Sequence, residues 1–183
     1  MKRAELVGSG YSLWLLPKPG TEAHHELNKL IPEVAQKYDT PSFAAHATLV
    51  GSVQGAEEEV RRQTRETALQ LRPYELVGKG ELDSIDGVLH RTLFTRVART
   101  SDVLRAHEMA QGIFGTKGEY DPHVSFAYGG LSPAEVDDLK MFITGRNRLI
   151  ASVRFEVDAI GLWRTEGTVP DWHEVATFPF GKR

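Results

Sequence analysis

The sequence predicts an α+β fold of two lobes, each an antiparallel sheet with helices on its outer face, the sheets facing a central groove. Three observations carry that prediction. Strand-like apolar runs alternate with helix-period segments along the 183 residues. Neighbouring strand segments are joined by tight turns, which favours antiparallel pairing. The order also runs through roughly the same unit twice: strand, helix, strand, helix, then an antiparallel pair. This is a repeat of elements without a strict repeat of sequence. No low-complexity stretch or linker divides the chain, so residues 1–183 read as one two-lobed domain.

The elements follow in order. Tyr11–Leu16 reads as a buried strand, closed by Pro17 and by Pro19-Gly20. Thr21 is placed to cap a helix to about Tyr38, with Leu27, Leu30, Ile31 and Val34 at helical spacing. Pro32 lies inside it and is expected to kink or split it. Asp39–Ser42 is a loop, Phe43–Val53 a second strand and Glu57–Leu71 a charged, solvated helix. Pro73–Ile85 and Thr92–Ala98 read as a strand pair joined through Asp86-Gly87. Ser101 starts a helix to about Phe114, and Gly115–Gly118 is a flexible loop. His123–Tyr128 is a strand ended by Gly129-Gly130. Ser132 caps a helix to about Thr144 with Pro133 in its first position. Ser152–Leu162 and Trp172–Phe180 are the last strands.

Composition narrows the function classes. The chain has no cysteine, which removes disulfides, thiol catalysis and cysteine-ligated zinc, and fits a reducing cytoplasm. No run of about 18 apolar residues exists to span a membrane. Lys2 and Arg3 precede an apolar run that is too short for a signal peptide. A net charge of −3 argues for a small ligand over a long nucleic acid, whose phosphates select basic proteins.

Two segments carry the chemistry. Phe43-Ala44-Ala45-His46-Ala47-Thr48-Leu49-Val50 and Pro122-His123-Val124-Ser125-Phe126-Ala127-Tyr128 each hold a histidine, an apolar residue, a hydroxyl residue and a large apolar residue. Strand side chains alternate faces, so His46 shares a face with Thr48, and His123 with Ser125. The opposite, apolar faces are left to pack under helices. Histidine titrates near neutrality, so one ring can take a proton while its partner gives one. The two hydroxyls can donate hydrogen bonds to nonbridging phosphate oxygens. Two such strands face to face would hold a phosphate at four points, with no metal or other cofactor required.

The segments H-A-T-L and H-V-S-F resemble the paired signature of the two-histidine phosphoesterase superfamily. One such tetrapeptide is permissive, whereas two at comparable places in a repeated order are more specific. The flanks resemble the plant and fungal cyclic phosphodiesterase branch: Y-S-L-W-L-L-P at 11–17, T-P-S-F-A-A-H-A-T-L at 40–49, Y-D-P-H-V-S-F-A-Y at 120–128, and L-W-R-T-E-G with D-W-H-E-V-A within 162–176. The resemblance implies a bilobed α+β fold. It implies hydrolysis of nucleoside 2′,3′-cyclic phosphates to 2′-phosphates, and of ADP-ribose 1″,2″-cyclic phosphate, a by-product of tRNA splicing, to the 1″-phosphate. It implies His46 and His123 as the catalytic pair, with His123 as base, and Thr48 and Ser125 as phosphate ligands. Tyr128 matches a substrate-contacting tyrosine. Strict alternation turns Tyr128 away from the histidine face, unless Gly129-Gly130 ends the strand and lets it turn in. The cysteines of the plant proteins are absent here, so no disulfide or redox control carries over. The expected partner is a small cyclic phosphate or nucleotide, bound by a monomer. An RNA-end phosphodiesterase, a 2′–5′ RNA ligase-like enzyme and a non-catalytic nucleotide-binding module are the alternatives.

Other residues have plainer readings. Trp14 either stacks a nucleobase at one end of the groove or belongs to the core. Trp163 and Trp172 read as core aromatics. His24 and His25 read as surface residues, and His90, His107 and His173 as structural ones. Arg91, Arg96 and Lys79 lie near the middle strand pair; they either contact a second phosphate or form a solvated face, which is the plainer reading. Glu57–Glu59 with Arg61 and Arg62 read as a solvated face.

Overall fold

A computed structural model describes residues 4–181; Lys2 and Arg3 lie outside them. Along the chain run β1 (Val7–Gly8), β2 (Tyr11–Leu15), α1 (Glu22–Tyr38), β3 (Ala47–Val53), α2 (Glu57–Gln70), β4 (Tyr74–Val77) and β5 (Leu93–Arg96). Then come α3 (Ser101–Phe114), β6 (His123–Ala127), α4 (Pro133–Arg146), β7 (Arg154–Val157), β8 (Ala159–Arg164), β9 (Gly167–Thr168) and β10 (His173–Pro179). The class is α+β, with every strand pair antiparallel among the described residues.

The two lobes are halves of one sheet. One half is β10-β8-β2-β3 and the other begins β6-β5, in a six-stranded order β10-β8-β2-β3-β6-β5. The pair β4–β7 continues the second half beyond β5, through the bridge Gly78↔Val97 and the bond from the Ala98 N–H to the Val77 carbonyl. The halves join at a single register pair, Ala47↔Val124. Those residues directly follow His46 and His123, so the seam between the lobes brings the two histidine segments together.

Each histidine strand is backed by a helix. Helix α1 precedes β3 in the chain but packs against β6; α3 precedes β6 but packs against β3. The inward residues Ala45, Ala47, Leu49, Val124 and Phe126 join one hydrophobic core. Burying a leucine or phenylalanine contributes roughly 1.5–3 kcal/mol, which fixes which face of each strand looks outward.

Three local expectations change. Helix α1 runs unbroken through Pro32. Proline removes one N–H bond, but Leu27, Leu30, Ile31 and Val34 anchor both sides of it in the core. The expected strand 152–162 is two strands that part at Asp158: β7 goes to one half and β8 to the other. The expected hairpin through Asp86-Gly87 is reduced to the bridges Gly78↔Val97 and Asp83↔Phe94, because β4 takes β7 as its ladder partner. The helix caps follow ordinary chemistry, with Ser132 and Glu135 closing a reciprocal box around Pro133. Among the described residues no helix is long and apolar enough to cross a membrane.

Candidate active site

The seam opens into a groove of about 460 Å³, with His46, Thr48, His123 and Tyr128 in its lining. The two histidines are built alike. His46 Nδ1 lies 2.7 Å from the Ala44 carbonyl, and His123 Nδ1 lies 2.9 Å from the Asp121 carbonyl, in each case two residues back. A carbonyl only accepts, so each Nδ1 carries the proton and each Nε2 is left with its lone pair. Two imidazoles in one tautomer, each with an unprotonated Nε2, are an arrangement that can take up one proton and, once protonated, give one.

Their surroundings differ. His46 is 5% exposed and stacks on Trp14 with ring centres 3.5 Å apart and planes 5° apart. The Tyr128 hydroxyl approaches His46 Nε2 at 3.3 Å, and the Tyr128 ring stacks on Phe43 at 3.7 Å. Burial raises the Tyr128 phenol, which keeps it protonated and able to donate. Strand β6 ends at Ala127, and Gly129 follows with φ 106°, so Tyr128 turns toward the histidines despite the alternation rule. His123 packs edge-on to Phe94, with His90 6.3 Å away.

Burial dominates the electrostatics. It lowers His46 to about 3, opposed by the Ala44 hydrogen bond and assisted by His123. It lowers His123 to about 4, opposed by the Asp121 carbonyl and assisted by Arg91 and His90. His90 is lowered as well, by burial and then by Arg91. Both groove histidines are therefore neutral at pH 7.

The other expected site residues fall unevenly. Thr48 lines the groove, while its carbonyl accepts from the Tyr120 hydroxyl at 3.0 Å. Ser125 shares the histidine face but is 3% exposed, and its hydroxyl donates to the His90 carbonyl at 2.9 Å. Its proton is committed to the fold as the site stands. Trp14 is 2% exposed, so it offers little face to a base and instead supports His46 from behind. Trp163 continues that stack at 4.3 Å, and Trp172 meets Trp14 edge-on.

Several groove residues were read as structure or as solvated surface. Arg91 lines the groove beside His90 and His123, paired with Asp121 at 2.6 Å. His107 stacks on Tyr120 at 3.9 Å and bonds the Leu49 carbonyl at 2.8 Å, forming part of the groove wall. No spacing rule exposes these residues, because helix α3 and the loop before β6 reach β3 only through the tertiary fold. The one local signal was Asp121-Pro122-His123, which places an acid beside a candidate histidine. Among the described residues no three histidine or carboxylate side chains cluster to hold a metal ion.

The family model described as the 2′-5′ RNA ligase superfamily matches residues 16–169. No curated protein matches the sequence. Among solved structures, apo LigT of E. coli is similar with a TM-score of 0.57 at 11% identity, over 97% of this chain and 100% of that one. LigT complexed with 3′-AMP also has a TM-score of 0.57 at 11% identity, over 96% and 99%. TT0787 of Thermus thermophilus has a TM-score of 0.58 at 15% identity, over 95% and 100%. At these identities the structural likeness is one of fold, and the family model supplies the affiliation: the chain belongs to the 2′-5′ RNA ligase superfamily, the two-histidine phosphoesterases that its paired motifs resemble.

Proposed function

We propose that the protein hydrolyses cyclic phosphodiesters without a metal, opening nucleoside 2′,3′-cyclic phosphates to 2′-phosphates and ADP-ribose 1″,2″-cyclic phosphate to the 1″-phosphate. The observation that carries this reading is the matched pair of imidazoles at the groove, each held at Nδ1 by a carbonyl two residues back, which leaves each Nε2 unprotonated. Both come from one chain, so a monomer suffices.

His123 acts as base. Burial, as for His46, and after it the fixed charge of Arg91 disfavour a proton on it, so its lone pair is available. His46 acts as acid. Its pKa is lowered mainly by burial, and the incoming phosphate anion opposes that effect. Water attacks phosphorus in line and gives its proton to His123 Nε2 as the new P–O bond forms. The P–O3′ bond breaks, and O3′ keeps the electron pair and takes the proton from His46 Nε2. Exchange with solvent then returns both rings to their starting states. Thr48 donates to a nonbridging oxygen, and Tyr128 steadies His46.

The pH dependence follows. In the free enzyme the acid must be protonated while its pKa is about 3. Lowering the pH from 8 to 5 raises the protonated fraction, so kcat/KM is expected to rise, approaching tenfold per pH unit. A profile falling with acidity over that range would place the required acid elsewhere.

Phosphorus NMR tests the reaction itself. The protein is mixed with 2′,3′-cyclic AMP, with ADP-ribose cyclic phosphate, and with a short RNA ending in a 2′,3′-cyclic phosphate, each with and without EDTA. Conversion of the two small cyclic esters to monoesters, undiminished by chelation, is expected. Binding without turnover would reduce the protein to a nucleotide-binding module. Turnover of the RNA end alone would make it an RNA-end phosphodiesterase, and loss of activity in EDTA would overturn metal independence.

A further inference from the structure

We propose that Arg91 meets the charge of the reacting phosphate on the His123 side of the groove. This rests on the reading above and names a further residue for the same reaction.

The Ser125 hydroxyl donates to the carbonyl of His90, the residue before Arg91. A serine hydroxyl has one proton, so while this bond stands the proton is not on a phosphate oxygen. What the bond does is fasten the segment that carries Arg91. That segment, Leu89–Arg91, is a single helical turn. The Gly129 N–H also binds the Leu89 carbonyl at 2.8 Å, and the Thr92 hydroxyl binds the Gly129 carbonyl at 2.6 Å. Ser125 and Gly129 thus lock the turn to β6 and to the stretch just after it.

The guanidinium is held as firmly as its backbone. Its side chain is 20% exposed, and its first terminal nitrogen donates to Asp121 Oδ2 at 2.6 Å. Its second terminal nitrogen donates to the Asp121 carbonyl at 3.4 Å, the same oxygen that accepts from His123 Nδ1. Arg91 and the proposed base are therefore oriented by one residue. The Asp121 carboxylate also meets Arg96, which pairs with Asp83 as well, so Arg91 is held in a network of two guanidiniums and two carboxylates. Each terminal nitrogen of Arg91 retains a second N–H, and among the described side chains that line the groove only Arg91 and Lys117 are permanent cations. A preorganised guanidinium in a partly dry groove stabilises charge that grows on the equatorial oxygens as water adds. Arg91 supplies here the fixed positive charge that a bound metal ion supplies at other phosphoryl-transfer sites.

The test uses Arg91→Gln, Arg91→Lys and Ser125→Ala with the intact protein. Rates are measured on whichever cyclic phosphate the wild type turns over. Inorganic phosphate and adenosine 2′-monophosphate are titrated by calorimetry, and circular dichroism checks folding. Arg91→Gln is expected to lower kcat/KM by about 10²–10³-fold, mostly in kcat, and to weaken phosphate binding. Arg91→Lys recovers part of both, and the NMR titration of His123 moves upward in Arg91→Gln as a repelling charge is lost. Wild-type kcat/KM and phosphate affinity in Arg91→Gln would overturn the proposal. So would a larger loss in a folded Ser125→Ala than in Arg91→Gln, because the hydroxyl would then be the ligand. If the wild type turns over none of the substrates but Arg91→Gln still loses phosphate affinity, the catalytic reading fails while the anion site stands.

Discussion

His46→Ala and His123→Ala are each expected to lower kcat/KM by about 10²–10⁴-fold, the range for loss of one positioned proton-transfer group. The double variant is expected to be little worse than the poorer single variant. A proton accepted at one ring and delivered at the other is a coupled event, and removing either partner already breaks it. The two substitutions differ in their side effects. His46 fills space between Trp14, Phe43 and Tyr128, so alanine there opens a hole among stacked rings. His46→Gln retains more of the bulk without a titratable group, and separates catalytic loss from packing loss. His123 touches Phe94 and His90 in a less enclosed setting, so His123→Ala is the milder structural change. Initial rates on 2′,3′-cyclic AMP, with melting curves for each variant, make the measurement. Rates within a few-fold of wild type in both alanine variants would remove the histidines from the mechanism.

The sequence made the histidine faces legible because period-two alternation is a property of the strand itself. Ala45, Ala47 and Leu49 are buried while His46 and Thr48 line the groove, and Val124 and Phe126 are buried beneath His123. What alternation does not encode is what a side chain does once its neighbours arrive. Ser125 is on the expected face, but the turn 89–91 closes over it and takes its proton. Trp14 is on the same face as Thr48, its cross-strand partner, but His46 lies against its ring. No local signal separated Arg91 from Arg96 and Lys79, since its place depends on a loop pinned to the stretch after β6 and on Asp121 from another segment. The switch at Asp158 was hidden for a related reason. An apolar run states that a strand is buried, but not that its first half pairs with β4 and its second with β2.

The same burial that tunes the histidines should cost the protein stability in acid. Thermal melting is expected at progressively lower temperature as pH falls from 6.5 to 4.5. The ordinary value for histidine is 6.5, whereas His46 is held at about 3 and His123 at about 4 in the fold. Above pH 6.5 both are neutral, folded or unfolded, and contribute no pH dependence. Below it the unfolded chain gains two protons that the fold refuses, so the equilibrium moves toward unfolding. Stability present above pH 6.5 is lost as pH falls toward the folded values, by on the order of a few kcal/mol in all. Carboxylates enter later. Glu59, Asp138 and Asp171 are lowered by Arg62, by Tyr38 with Lys37, and by Thr168, and their contributions fade only below the ordinary carboxylate range. The interval from 6.5 to 4.5 is thus a histidine window, shared with the smaller effect of His90. His46→Gln and His123→Gln should each flatten the melting temperature across it. Saturating inorganic phosphate should protect most at the acid end, because an anion between the rings favours their charged forms and binds only the folded protein. A melting temperature that is constant across the window in the wild type, or equally steep in both glutamine variants, would mean that the rings are already solvated, and the pH–rate profile would then have to be rederived with ordinary histidine values.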